Sequence, residues 1–382
     1  FVALMFFINY LDRTAISFAG PNGMNTDLAL SAAQFGFASG VFFIGYILLE
    51  VPSNLALHKF GARRWLARIM VSWGVVSLLF TWVGNMEQLY ILRFILGVAE
   101  AGFFPGAILF LSLWVPSRHR SKILALFYLA DSPAKAKWLT QEEKTWLTGA
   151  LEKEKKETAA SNKHVSVRTV FGNGRVWMLS AIYFGFIYGL YALGFFLPTI
   201  IAGFEGIYGT KFDVFQKGMI TAVPYLPAAF ALYFWSKDAT KRGVKTWHIA
   251  LPALIGGLSI PLALFAGSPA ATIAVITITA MSIFAALPNF WTVPTQFLTG
   301  AAAAAGIALI NTIGNLAGFS AGYVTGWLKD LTGGYTVPMF VVGGFMLLSS
   351  ILMVVLSRSG KVSEGIPAEA LDPTGAGHHA EP

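Results

Sequence analysis

Two ionisable residues lie inside a stretch that has no ordinary use for them. Arg93 and Glu100 fall within Leu89–Trp114, a predominantly apolar run of about 25 residues, long enough to cross a bilayer core as a helix. A charge near the bilayer centre costs at least ~2.5–3.5 kcal/mol, so it persists only where it faces other helices or a wet cavity. Seven residues separate the pair, which predicts nearly the same helical face, about 10 Å apart along the axis. That face must look into something polar. It is either a structural ion pair locking two helices or a pathway for a solute or a proton.

A second such place is Asn9-Tyr10-Leu11-Asp12-Arg13 in the first apolar run. If that run exits near Ala19, Asp12 lies about 10 Å inside the boundary. Helix neighbours point about 100° apart, so Asp12 and Arg13 cannot face one partner. A mutually neutralised pair near a helix end is the competing reading, but a simple span could omit both charges. Burial and a nearby arginine push a carboxylate's proton affinity in opposite directions. Asp12 and Glu100 are therefore the residues expected to exchange a proton.

Other polar residues need spans to carry them. Tyr46, near the middle of the second apolar run, can donate a hydrogen bond to an anion or simply pack. Glu50, one turn on, reads as a helix-end carboxylate paired with a cytoplasmic arginine. Tyr183, Tyr188 and Tyr191 alternate with Gly185, Gly189 and Gly194 in a helix able to bend and line a cavity. Packing accounts for any single tyrosine there, and Tyr188 is kept as a candidate contact. Asn311 and Asn315, four apart, share a face and serve either interhelical hydrogen bonds or a solute. Gly314, Gly318, Gly322 and Gly326 recur every four residues, a stripe that lets helices pack closely.

The elements that must position these residues are membrane helices. The 382 residues are 55% hydrophobic and only 12% charged, about half the charge of an ordinary soluble domain. Hydropathy predicts spans at Phe1–Ala19, Phe35–Leu57, Trp65–Val83 and Leu89–Trp114. A second series covers Val176–Ala202, Phe215–Trp235, Trp247–Ala266, Ala271–Phe297, Ala301–Leu328 and Val337–Leu356. Pro224 and Pro227 are expected to kink the span Phe215–Trp235, the sixth of the ten. The chain opens inside an apolar run with no basic leader, which predicts a first span entered partway and no signal peptide. Between the series lie a stub, Ser121 to Ala130, too short to cross, and a charged segment, Asp131 to Arg175, read as a solvated linker helix. The tail after Ser357 is expected to be disordered, with His378 and His379 solvated.

The net charge of +8 is a topology signal. Of the 27 lysines and arginines, 22 fall in HKFGARRWLAR, SRHRSK, Asp131–Arg175, SKDATKRGVK and the tail, segments assigned to one side. That asymmetry predicts a cytoplasmic linker and C-terminus. Charge spread over separate short loops excludes a nucleic-acid stripe. SRHRSK and the linker share a side, so the chain between them crosses an even number of times. There are no cysteines, and no P-loop, HExxH, GxSxG or metal-ligand spacing occurs. ATP-driven transport and hydrolysis have no residues to run on, and no cofactor or metal is expected.

These segments, namely NYLDRTAIS, GYILLEVPSNLALHKFGARRWLAR, RFILGVAEAGFFPGAILFLSLWVP, DSPAKAKWLTQEE and PTQFLTGAAAAAGIALINTIGNLAGF, make the chain resemble the major facilitator superfamily. Within it they resemble the anion:cation symporters, in particular bacterial permeases of the phthalate, hydroxyphenylacetate and tartrate types. The resemblance implies an all-α polytopic membrane protein with two helical bundles rocking about a midplane site. It also implies proton-coupled uptake of a small organic anion across the inner membrane by a monomer. Asp12 and Glu100 match the proton-linked carboxylates. Arg13, Tyr46 and Arg93 match residues that orient the substrate or couple it to the proton, and Asn311 or Asn315 matches a contact from the C-terminal bundle. His58 stands where the superfamily's loop motif usually carries Asp. The expected organisation is an N-terminal bundle over 1–130, a linker over 131–175, a six-helix bundle over 176–357 and a tail over 358–382. That gives about ten spans of an expected twelve, with the fifth and sixth merged around Ala130–Asp131. A carrier missing a wall of its cavity carries a second reading, a non-transporting relative acting as scaffold.

Overall fold

The computed structural model describes residues 2–103, 140–142, 144–146, 148–149, 171–297 and 300–358. Most of the linker, the stub, the tail and its histidines lie outside them. Among the described residues the α-helices of nine or more residues are, in chain order, α1 (Val2–Ala19), α2 (Ala32–Phe60), α3 (Ala62–Leu79), α4 (Met86–Glu100) and α5 (Gly174–Ala202). They continue with α6 (Val214–Ala222), α7 (Tyr225–Arg242), α8 (Trp247–Leu262), α9 (Pro269–Phe290), α10 (Gly300–Thr332) and α11 (Thr336–Arg358). Each expected span is met, over its described residues, by one of these helices or by the α6–α7 pair, except that residues 104–114 of Leu89–Trp114 lie outside them. Among the described residues, eight helical stretches are long and apolar enough to cross a membrane. The other two expected spans correspond to α1, which carries Asp12 and Arg13, and to the 15-residue α4.

Two breaks in the expected spans bear on the site, the second at a proline expected to kink its helix. The run expected to be one span over Leu89–Trp114 is interrupted after Glu100: Ala101 turns extended (φ −55°, ψ 133°), Gly102 takes φ +83°, Phe103 is helical again, and residues 104–114 lie outside the described ones. Glu100 thus sits in the last turn of α4. The sixth expected span is broken where Pro224 cannot donate a backbone hydrogen bond, separating α6 from α7.

Packing centres on α10, which lies along α2 and α5; α2 also packs on α4, α1 on α5, and α8 between α9 and α11. The glycine stripe explains the α2–α10 contact. A Cβ on Gly322 would come within 2.5 Å of the Gly36 carbonyl oxygen, and one on Gly326 within 2.0 Å of that of Ala32. The backbones touch there, which no larger residue permits. The same contact is tied at the Ser31 end of α2. Ser31 and Gln34 form a capping box, while Asp330 at the end of α10 accepts the N–H groups of Ala32 (3.0 Å) and Ala33 (2.6 Å). The donors that a helix start leaves unsatisfied are thereby paired, half of them by a residue about 300 positions away.

Candidate functional site

The charged residues of α1 and α4 meet in the interior, on both sides of α2. Gly45 of α2 and Gly97 of α4 bring the two backbones together: a Cβ on Gly97 would lie 1.9 Å from the Phe42 carbonyl oxygen. One turn before Gly97, Arg93 is 2% exposed and donates through Nε to the Ala38 carbonyl (3.2 Å) and through Nη2 to that of Ser39 (3.3 Å). Its guanidinium carbon stands 5.3 Å from the Phe42 ring centroid. From the other direction Arg13 stands 4.8 Å from the same ring and 5.2 Å from that of Tyr46. Phe42 therefore presents its π-face to two cations, each gaining about 0.5–2 kcal/mol in such a contact.

Asp12 and Arg13 point apart, as their adjacency requires. Asp12 turns to α3, accepting from the Trp73 indole N–H (2.8 Å) and the Ser77 hydroxyl (3.0 Å). Arg13 forms an ion pair with Glu100 and reaches the Tyr191 hydroxyl at 3.4 Å. Glu100 is fully buried; its Oε2 accepts a hydrogen bond from Arg13, and the Asn9 amide lies beside its carboxylate.

Two cavities divide the set. Asp12, Ser77 and Arg93 line one of about 500 Å³. Arg13, Tyr46, Asn9, Tyr183, Tyr191 and Trp291 line another of about 280 Å³, together with Asn311 and Asn315. The second cavity lies between the halves of the chain, with α1 and α2 on one side and α5, α9 and α10 on the other. It brings together four of the substrate-contact candidates, namely Arg13, Tyr46, Asn311 and Asn315. Arg93 faces the first cavity instead.

Tyr188 lies in neither. Residues 183, 187, 190 and 191 share the cavity face of α5, and Tyr188, 100° round from Ile187, faces away. It is 1% exposed, packs on Phe345 (4.7 Å between rings) and bonds the Thr325 hydroxyl at 3.2 Å. Glu50, expected beside a cytoplasmic arginine, also has partners on α10. Its Oε1 accepts the Asn311 amide at 2.9 Å and its Oε2 that of Asn315 at 3.5 Å. Sequence reasoning passed over Phe42, Trp73 and Trp291 as functional groups. Phe42 was within reach of a pattern, four residues before Tyr46 and hence on the same face of α2. Among the described residues no grouping of acidic or histidine side chains could hold a metal.

This arrangement has relatives. The sequence profile of the Major Facilitator Superfamily matches residues 2–134. A protein of Agrobacterium vitis whose name proposes that it transports tartrate is 39% identical, over 94% of this chain and 89% of its own. A quinolone resistance transporter of Acinetobacter baumannii is 32% identical over 93% of this chain and 92% of its own. In fold, the inward-open xylose transporter XylE of E. coli superposes with a TM-score of 0.69 at 14% identity, covering 97% of this chain and all of that one. The chain belongs to the major facilitator superfamily, a family of membrane transporters. The match to the Agrobacterium vitis protein runs over 409 positions, more than the 382 residues here, so that relative has positions this chain lacks.

Proposed function

We propose that the chain is a secondary carrier that takes up a small hydroxy or aromatic carboxylate together with a proton, by alternating access around the smaller cavity. The observation that carries this reading is the Arg13–Glu100 pair, with the cation in the cavity wall and the carboxylate sealed behind it. While Glu100 is ionised, it neutralises Arg13 and an anion gains little. A proton on Glu100 leaves the Arg13 charge to a substrate carboxylate, and that carboxylate in turn favours the proton. Linkage of this kind is reciprocal and typically amounts to about 1–3 kcal/mol. Asp12, held by Trp73 and Ser77 beside Arg93, serves as a second proton station on the larger cavity.

The size of the smaller cavity supports a small acid over a drug. About 280 Å³ falls below the roughly 300–1,000 Å³ typical of sites for drug-sized ligands. Lys and Arg placement supports an inner-membrane protein with the linker and C-terminus cytoplasmic. The lacking positions are assigned to the fifth and sixth spans, around Ala130–Asp131, leaving the 1–130 and 176–357 bundles to work as a monomer.

The test is uptake of candidate acids into proteoliposomes under an imposed inward proton gradient. The native chain is expected to accumulate a hydroxy or aromatic acid only with the gradient. Glu100→Gln is expected to exchange substrate yet no longer respond to it. Proton dependence unchanged in Glu100→Gln removes Glu100 from the coupling. No uptake of any organic acid by well-folded native protein supports the scaffold reading instead.

A further inference from the structure

We infer that Glu50 is a specificity-determining residue, which orients Asn311 and Asn315 so that the far wall of the cavity selects acids bearing hydroxyl groups. The inference rests on the carrier reading above and adds to it a residue outside that mechanism. Glu50 is 8% exposed, on α2, and its two oxygens take the two amides of α10. An ionised carboxylate only accepts hydrogen bonds, so each amide must turn its nitrogen to Glu50. Each amide oxygen then lies on the opposite side of its amide. Both side chains line the cavity, as does Arg13 on the other wall. The cavity is thus asymmetric: a cation at one wall for a carboxylate, and amide oxygens at the other for a donor.

A hydroxyl group supplies that donor. A methylene leaves the acceptors unpaired, and a second carboxylate at that wall meets amide oxygens backed by the Glu50 charge. Sites built to pair with a substrate hydroxyl reject the analogue that lacks it far more strongly than apolar pockets reject a missing methylene. The acids favoured therefore carry one carboxylate for Arg13 and at least one hydroxyl placed for Asn311 or Asn315. Glu50 acts on the substrate only through these amides and is a positioning residue.

The experiment compares uptake of matched pairs that differ only in hydroxyl groups, tartrate with succinate and lactate with propionate, under one proton gradient. The native chain is expected to prefer the hydroxylated member of each pair. Glu50→Gln, whose own amide can donate and release the asparagines from their fixed orientation, is expected to cut that preference about fivefold to tenfold, the loss of one ordinary hydrogen bond. Asn311→Leu, which removes an acceptor and leaves Glu50 in place, is expected to cut it likewise and stands in if Glu50→Gln does not fold. Equal loss for both members of a pair in either variant, or no preference in the native chain, overturns the assignment of Glu50. Absence of any uptake by the native chain overturns the carrier reading itself.

Discussion

Phe42 is the residue on which the two arginines converge, and it has no charge of its own. Its ring centroid stands 4.8 Å from the Arg13 guanidinium and 5.3 Å from that of Arg93, so one aromatic ring lies beside cations that line different cavities. Replacing it with leucine keeps most of the apolar volume and removes the quadrupole. Phe42→Leu is expected to weaken anchoring at Arg13 by about 0.5–2 kcal/mol, read as a several-fold rise in the substrate concentration that half-saturates uptake, with the thermal midpoint nearly unchanged. A large fall in the midpoint with unaltered half-saturation would make Phe42 a packing residue only. At this scale the charges were legible because lipid makes them expensive, and an expensive group in a span must have a partner. Which partner was not legible. Arg93 turns out to be held by helix carbonyls, Glu50 by two asparagines, and Tyr188 by a threonine, because each depends on how its helix is rotated against a neighbour distant in sequence.

At the scale of elements, the pairing of α2 with α10 sets the site. The stripe of glycines on α10 was visible as a four-residue repeat, and it signalled close packing without saying against what. The fold answers with Gly36 and Ala32 of α2, approached backbone to backbone. Gly322→Leu would drive a branched side chain into the Gly36 carbonyl. Overpacking of this kind costs about 1–3 kcal/mol or forces the helices apart. A fall of several degrees in the thermal midpoint is expected, together with loss of uptake, since Asn311 and Asn315 ride on the same helix. A variant with native midpoint and native uptake would show that α2 and α10 do not hold this contact. The close of α4 at Glu100 belongs to this scale too. Apolarity persists through Phe103 and beyond, so hydropathy could not mark the end, whereas Gly102 at φ +83° does.

For the whole molecule, α2 and α10 join the two halves of the chain from Ser31 to Glu50. At one end Asp330 caps α2; at the other Glu50 holds the asparagine pair. Under the alternating access proposed above such contacts form and break, so each is expected to carry only a modest energy. Asp330→Ala removes the acceptor for Ala32 and Ala33 and is expected to cost about 0.5–2 kcal/mol, the usual range for losing a helix cap. The measurement is the thermal midpoint in detergent, which should drop by a few degrees, with Asp330→Asn losing less because its amide oxygen still accepts. Equal midpoints for all three proteins would show that the cap contributes nothing. The apolar surface on α6 and α7, where Phe215, Leu226 and Phe230 are exposed, is what a helix bordered by acyl chains presents.

By itself the sequence determined the solvent, the spans and the cost of each buried charge, because hydropathy and helical period act locally and every residue carries its own transfer energy. It also limited what a face could hold, since residues three, four or seven apart must share one. Only the tertiary structure decided that the charges divide between two cavities, that Arg13 and Glu100 pair across helices, and that Glu50 turns to α10. Those outcomes follow from helix rotation and from backbone contacts at glycines, where a single Cβ would separate the partners, and no local pattern encodes which distant helix fills the space.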